Sequence, residues 1–230
     1  MIKLENNMET FTTVNNNDRL ILRLALGGAG LVIFSLLAWQ VVEAGKGPAL
    51  FDDKIRFWVY GIRREWLTSI VKVITYSGNW HPTLGVAAML LIIPKTRKPL
   101  GYPSAVMAVI SVSTYSLLKM IFNRPRPDKA LWLVIQHDTS FPSGHALNCM
   151  IFYGAIILLI RKGIYPTGHR QALTILLSLL ILAIGLSRIY VGVHYPTDVL
   201  AGWGFGIFLL TIFSFWVDKY GNYLRSSNEN

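Results

Sequence analysis

The sequence predicts an all-α integral membrane protein, a bundle of six transmembrane helices. The first observation behind this prediction is composition. Of the 230 residues, 53% are hydrophobic and 15% are charged, whereas soluble domains carry about 25% charged residues. The second observation is that six segments approach the roughly 20 mainly apolar residues that a helix needs to cross a bilayer. These segments are 20–42, 67–93, 100–122, 146–160, 172–193 and 197–217.

Two of these segments are less regular than the others. Lys72 and a Ser-Gly-Asn sequence at 77–79 interrupt segment 67–93, so we expect its membrane-spanning part to begin near Asn79. Segment 146–160 is short, and we expect it to begin inside a polar pocket. Composition also excludes a disordered chain and, with only one cysteine, a disulfide-stapled secreted domain.

The distribution of basic residues predicts how the chain is organised and oriented. We expect a flexible cytoplasmic tail at 1–19, a membrane domain at 20–218 and a second cytoplasmic tail at 219–230. The loops 94–99 and 161–170 contain basic residues and no acid, so the positive-inside rule places them in the cytoplasm. The prediction is therefore a multi-pass protein of the cell membrane with both termini inside.

One connection on the outer side has the pattern of an amphipathic helix. Apolar residues recur at helical spacing in segment 51–62, at Phe51, Ile55, Trp58, Val59 and Ile62. An interfacial helix on the outer leaflet fits this pattern. A loop helix packed on the bundle fits it equally well, and the sequence leaves both alternatives open.

Three clusters of polar residues fall at the outward ends of the predicted spans. They contain Lys119 and Arg126, then Ser143, Gly144 and His145, then Arg188, His194 and Asp198. Three fixed cations and a helix N-terminus suit a phosphate group with two or more negative charges. Two histidines could divide nucleophilic attack and proton transfer. The His194–Asp198 spacing favours His194 as the activated group, although chemistry alone does not decide which histidine attacks.

The three clusters together resemble the signature of the type 2 phosphatidic acid phosphatase superfamily of integral-membrane lipid phosphatases. Its motifs are K-x6-R-P, P-S-G-H and S-R-x5-H-x3-D. They correspond here to Lys119 through Pro127, Pro142 through His145, and Ser187 through Asp198. Within the family, size and layout are most similar to the bacterial phosphatidylglycerophosphatases and undecaprenyl-pyrophosphate phosphatases.

The resemblance implies a role for each motif residue. His194 is the expected nucleophile and forms a phosphohistidine, Asp198 orients it, and His145 protonates the leaving group and then activates water. The expected phosphate-binding residues are Lys119, Arg126, Ser143, Gly144 and Arg188. No cofactor or metal is implied. Four neighbours have no assigned role and are candidates for the pocket entrance, namely Arg124, His137, Asp138 and Tyr195.

The expected reaction is hydrolysis of a lipid phosphate monoester, either phosphatidylglycerophosphate to phosphatidylglycerol or phosphatidic acid to diacylglycerol. An undecaprenyl pyrophosphate phosphatase is the alternative within the same family. From other classes, a non-enzymatic anionic lipid transporter or binder would share the spans, and a metal hydrolase could use His145, His194 and Asp198. We expect partners limited to the membrane and an anionic phospholipid or polyprenyl phosphate. Nucleic acid is excluded because the tryptophans fall in or near spans.

Overall fold

The computed structural model describes residues 16–49, 51–165 and 167–226, and all regular structure within them is helical. Nine α-helices lie within these residues. They are α1 (Asn16–Glu43), α2 (Asp52–Gly61), α3 (Glu65–Ser77), α4 (Trp80–Ile92), α5 (Pro94–Thr96), α6 (Tyr102–Phe122), α7 (Gly144–Arg161), α8 (Arg170–Tyr190) and α9 (Pro196–Ser226). A π-helical turn, Arg97–Gly101, joins α5 to α6, and a 3₁₀ turn, Lys129–Leu131, lies between α6 and α7.

Five helical segments of the described chain are long and apolar enough to cross a membrane, one fewer than predicted. They are Asn17–Glu43, Pro94–Phe122, Gly144–Arg161, Arg170–Tyr190 and Pro196–Asn222. The predicted second span is divided between α3 and α4, which have 13 residues each. A helix of that length extends about 20 Å, less than the hydrocarbon thickness of about 30 Å. A count of six therefore holds only if α4 is included as a short span.

A glycine stands at the division between α3 and α4 for a steric reason. At Gly78 the chain passes so close to α8 that a Cβ atom there would lie 2.4 Å from the Cγ2 atom of Ile184. Only glycine fits this approach, and α4 begins two residues later at Trp80. The expected start near Asn79 thus agrees closely with the structure.

The outer faces of the long helices carry many exposed large apolar side chains. Examples with more than half of their surface exposed are Ile21, Val73, Ile92, Val109, Met120 and Leu179. Soluble monomers rarely expose contiguous apolar surface of this extent. Such a surface is the expected boundary with lipid.

The core is centred on α7, which packs against α6, α8 and α9. Large side chains along α7 are fully buried, including Leu147, Ile151, Phe152 and Leu159. α1 lies against α9 on the other side. Because α7 is enclosed along its length, its first residues are held in a fixed position.

Amphipathic helix α2 packs with its polar side inward. Asp52 and Arg56 are buried, whereas Phe57 and Trp58 are 57% and 69% exposed. Phe57 and Trp58 thus face away from the protein, as an interfacial helix requires, whereas Phe51 and Val59 pack partly against the core. Of the two alternatives left by the sequence, this arrangement favours the interfacial helix.

The end of the bundle opposite α2 is joined by ion pairs. The carboxylate of Asp218 on α9 pairs with Arg23 of α1 at 2.6 Å and with Lys162 at the end of α7. Helix α1 begins at Asn16 and α9 ends at Ser226, so both helices extend into the segments predicted as tails. Residues 1–15 and 227–230 of those predicted tails lie outside the described residues.

Close contact between α1 and α9 gives a prediction about stability. A Cβ atom at Gly30 would lie 2.5 Å from the carbonyl oxygen of Gly204, whereas one at Gly28 would meet nothing within 4 Å. We expect Gly30→Ala to lower the thermal unfolding midpoint, because overpacking at such a contact costs about 1–3 kcal/mol. Gly28→Ala should leave the midpoint unchanged or raise it, because alanine favours helix. Both midpoints can be measured by intrinsic fluorescence in detergent, and equal midpoints would contradict the close contact.

Candidate active site

A cavity of about 450 Å³ opens at the end of the bundle where α7 begins. Five of the eight predicted site residues line it. They are Lys119, Arg126, Gly144, His145 and His194. The other three, Ser143, Arg188 and Asp198, are almost completely buried behind these residues. The ends of α6 and α8 and the beginnings of α7 and α9 therefore bring all three sequence motifs to one place.

The beginning of α7 forms one wall of the cavity. Ser143 is its N-cap, with its hydroxyl accepting from the Ala146 N–H, and its own N–H donates to the Asp198 carbonyl at 3.0 Å. A Cβ atom at Gly144 would lie 3.4 Å from the Tyr115 ring. The first N–H groups of a helix have no partner within the helix, so this wall can accept an anion.

His194 is held by two opposite hydrogen-bond partners. Its Nδ1 lies 3.2 Å from Asp198 Oδ2, and Arg126 Nη1 lies 3.0 Å from its Nε2. A guanidinium can only donate, so Nε2 must accept and the proton of the neutral ring is on Nδ1. Burial lowers the pKa of His194 well below its usual value, and the charges of Arg126, Lys119 and Arg188 lower it further. His194 thus presents an unprotonated Nε2 at the cavity.

Two buried groups at the site lack partners within the described part of the chain. His145 Nε2 makes no hydrogen bond there, and neither do Nε and Nη2 of Arg188. Arg188 Nη1 donates to the Thr75 hydroxyl of α3 at 2.6 Å. Buried polar groups without partners are costly. An anion between Arg188 and His145 would satisfy both.

Asp138 occupies the space between two of the predicted phosphate-binding cations. Its carboxylate lies 2.8 Å from Lys119 Nζ and also pairs with Arg126. Burial opposes ionisation of Asp138, but Lys119 and Arg126 hold its pKa well below the usual range. Sequence reasoning assigned Asp138 no role. The only available signal was that it is the sole acid in segment 129–143.

The four neighbours expected at the entrance divide into two groups. His137 and Asp138 line the cavity. Arg124 and Tyr195 are buried beside Asp198, and Arg124 also borders an adjoining cavity with Arg126, His137 and Asp138. Arg124 Nη1 donates to Asp198 Oδ1 at 2.6 Å, a contact that no local spacing in the sequence indicates.

The corner between α3 and α4 forms the remaining wall, which sequence reasoning missed. Gly78, Asn79, Trp80 and His81 line the cavity there, and the rings of Trp80 and His81 stack with centroids 3.5 Å apart. A glycine break inside an apolar segment was the one available signal.

The cation-rich surroundings argue against the metal-hydrolase alternative. His145 and His194 share the cavity with Lys119 and Arg126, which would repel a divalent ion. Within the described residues, no group of three or more histidine, cysteine or carboxylate side chains is placed to hold a metal.

The position of Asp138 predicts a change in anion affinity. Asp138→Asn should raise the affinity for inorganic phosphate about two- to fivefold. The half-exposed Asp138 carboxylate competes with phosphate for its two cations, and such an ion pair contributes about 0.5–1 kcal/mol. Asp128→Asn is the matched control, since Asp128 lies in the same connection and accepts from the Ala130 N–H. Isothermal titration calorimetry in detergent measures both affinities. Unchanged or weaker phosphate binding by Asp138→Asn would contradict the assignment of this position to an anion.

Comparison with known proteins identifies relatives with similar sequences and structures. Phosphatidylglycerophosphatase B of Bacillus subtilis is 30% identical over 156 residues, which cover 64% of this chain and 74% of that protein. An undecaprenyl-diphosphatase of Sulfolobus acidocaldarius is 31% identical over 61% of this chain and 66% of its own length. A crystal structure of a transmembrane PAP2-type phosphatidylglycerolphosphate phosphatase from Bacillus subtilis superposes with a TM-score of 0.65 at 25% identity, covering 81% of this chain and 94% of that one.

The family assignment rests on both sequence and structure. The crystal structure of Aquifex aeolicus LpxE is similar with a TM-score of 0.53 at 26% identity, covering 72% of this chain and 94% of that one. A sequence model of the PAP2 superfamily matches residues 101–221, which include all three motifs. The described helices, the clustered motif residues and these matches agree, and the chain belongs to the PAP2 superfamily.

Proposed function

We propose that this chain is a membrane lipid phosphatase that hydrolyses the phosphate monoester of a phospholipid through a phosphohistidine at His194. The observation that carries the proposal is the unprotonated Nε2 of His194, which faces a cavity lined by Lys119, Arg126 and His145. A lipid headgroup phosphate supplies the negative charge that these groups and Arg188 can bind. Relatives named for lipid and polyprenyl phosphate substrates support this assignment.

In the first step, Arg126 Nη1 releases His194 Nε2 and turns to the phosphate, and the freed Nε2 lone pair attacks phosphorus. The P–N bond forms as the P–O bond to the lipid breaks, and His145 gives a proton to the departing oxygen. Lys119, Arg126 and Arg188 stabilise the charge on the phosphoryl oxygens. His194 acquires a positive charge in this step, and Asp198 stabilises that charge by accepting the hydrogen bond from Nδ1–H.

In the second step, water replaces the histidine. His145 has lost its proton and can now accept one from water. The water oxygen forms the new P–O bond, the P–N bond breaks, and His194 recovers its lone pair. The products are inorganic phosphate and the lipid alcohol. Asp138 has to leave the two cations when substrate binds, since its carboxylate occupies part of the same space.

The surroundings of the cavity favour a substrate with an apolar chain. Trp80 and Tyr115 line both the cavity and a second, mainly apolar groove along α4 and α6. This groove also includes Leu84, Ala108, Val109 and Val112. An acyl or polyprenyl chain could lie there while its phosphate reaches His194.

Orientation in the membrane follows from the basic loops. The chain is a multi-pass membrane protein, and segments 94–99, 161–165 and 167–170 lie at the end of the bundle away from the cavity. The positive-inside rule assigns that end to the cytoplasm. The proposed active site then faces the outer side of the membrane, where it meets substrates in the outer leaflet.

A second candidate substrate is a polyprenyl diphosphate. It is favoured by similarity to the undecaprenyl-diphosphatases of Sulfolobus acidocaldarius and Bacillus subtilis, the latter 30% identical over 58% of this chain. The same first step applies, with a polyprenyl phosphate as the leaving group. Comparing turnover of both substrate classes decides between them.

The proposed nucleophile gives a direct test of function. His194→Ala should lower phosphate release from the preferred lipid by about 10³-fold or more while lipid binding is retained. His169→Ala is the matched control, because His169 is exposed at the beginning of α8. Purified protein in detergent is assayed with phosphatidylglycerophosphate, phosphatidic acid and undecaprenyl pyrophosphate, with and without EDTA.

Each contrary outcome identifies a different error. Unchanged phosphate release by His194→Ala would overturn the mechanism. Activity that is lost in EDTA and restored by zinc would favour a metal hydrolase. Lipid binding without turnover of any substrate would favour the non-enzymatic transporter or binder.

A further inference from the structure

Arg124 connects two buried carboxylates behind the proposed nucleophile. Its side chain is fully buried, in the segment that follows α6. Nη1 donates to Asp198 Oδ1 at 2.6 Å, and Nη2 donates to Asp52 Oδ2 at 2.9 Å. The Tyr195 ring lies beside the guanidinium with its centroid 4.0 Å from Cζ. Asp52 and Asp198 are themselves 0% exposed, so this group of three charges is shielded from water.

Asp52 fixes the beginning of α9 from a different helix. Its Oδ1 accepts from the Thr197 N–H at 2.9 Å, and its Oδ2 accepts from the Thr197 hydroxyl at 2.8 Å. A carboxylate at a helix N-terminus satisfies a free N–H and interacts favourably with the helix dipole. Asp52 is in the first turn of α2, so α2 contributes the cap of α9.

The two carboxylate oxygens of Asp198 have different hydrogen-bond partners. Oδ1 accepts from Arg124, while Oδ2 faces His194 Nδ1 at 3.2 Å and accepts from the Tyr195 N–H at 2.8 Å. The Ser140 hydroxyl also donates to Oδ2. A carboxylate held at both oxygens cannot rotate away from the imidazole. Its orientation therefore depends on Arg124.

We propose that Arg124 and Asp52 are positioning residues for the His194–Asp198 pair, which hold Asp198 in place and set the charge that His194 experiences. Asp52, Arg124 and Asp198 together carry a charge of −1 when all three are ionised. Neutralising Arg124 changes this charge to −2, and neutralising Asp52 changes it to 0. Neutralising both restores −1. The kinetic consequences rest on the proposed function, but the effect on the His194 ring does not.

Opposite charge changes should move the protonation of His194 in opposite directions. More negative charge favours the imidazolium, so Arg124→Met should raise the pKa of His194. Asp52→Asn should lower that pKa, because Arg124 then acts on Asp198 alone. The other charged or titratable groups near His194 stay unchanged in these variants. They are Lys119 from α6, Arg126 and Asp138 from the connection after it, His145 from α7 and Arg188 from α8.

Histidine-selective ¹⁵N NMR of the full chain in detergent tests the proposal without requiring activity. It reports both the pKa of His194 and which ring nitrogen carries the proton, with His194→Ala identifying the signal. We expect a wild-type Nδ1–H tautomer, opposite pKa shifts in Arg124→Met and Asp52→Asn, and a value near wild type in the double variant. Arg124→Lys keeps the charge and loses the two-pronged geometry, so its pKa should stay near wild type while the Nδ1–H preference weakens.

The control is Arg64→Met, since Arg64 lies exposed shortly after α2 and, among the described residues, its side chain bonds only to the Arg63 carbonyl. It should change neither the pKa nor the tautomer. Equal His194 titrations in all folded variants, or shifts of the same sign in Arg124→Met and Asp52→Asn, would overturn the proposal.

The pH dependence of kcat/KM in the same variants is a second, independent measurement. The low-pH limb of kcat/KM requires neutral His194, so it should move to higher pH in Arg124→Met and to lower pH in Asp52→Asn. If the wild type released no phosphate, the proposed function would be wrong. The NMR result would still decide whether Arg124 and Asp52 position the His194–Asp198 pair. If wild-type turnover were normal and the NMR shifts absent, only the positioning role would fail.

Discussion

Positive charge concentrated at one end of an apolar bundle is the constraint on which the rest of the structure depends. Lys119, Arg126 and Arg188 lie near one another in surroundings from which most water is excluded. Charges of one sign repel strongly there, because the effective dielectric constant is low. Two of the cations are balanced by Asp138, whereas part of Arg188 lacks a hydrogen-bond partner in the described chain. An arriving phosphate thus relieves a repulsion that the fold maintains.

The bundle can maintain that repulsion because its centre is rigid. Helix α7 is enclosed by α6, α8 and α9, and its N-terminus meets α9 through the Ser143 N–H and the Asp198 carbonyl. At Gly202 of α9, a Cβ atom would lie 3.0 Å from the carbonyl oxygen of Ser143. The two helix beginnings that carry His145 and Asp198 are therefore locked together by backbone contact. Catalytic groups held on helix ends in this way need little rearrangement during reaction.

The sequence predicted the parts of this arrangement that depend on local pattern. Apolar length located the long helices, and motif spacing located the residues from Lys119 to Asp198 that meet at the cavity. It missed features set by contacts between distant segments. These are the cavity wall formed by the corner between α3 and α4, and the Arg124–Asp52 pair. The sequence also left open which face of α2 contacts the protein. An amphipathic pattern does not decide this for a helix at a membrane surface, because its apolar face can contact either the protein or lipid.

The pairing of Asp52 with α9 has a consequence for how the chain matures. The matched family region, 101–221, includes every motif residue but not Asp52, and Asp52 and Thr197 are 145 positions apart. Helices α1 and α2 leave the ribosome long before α9 does. Until α9 is in place, Asp52 lacks Thr197 and Arg124 lacks Asp198. Completion of the charge group therefore coincides with arrival of the last helix, so a partly inserted chain would carry its motif residues without an assembled site.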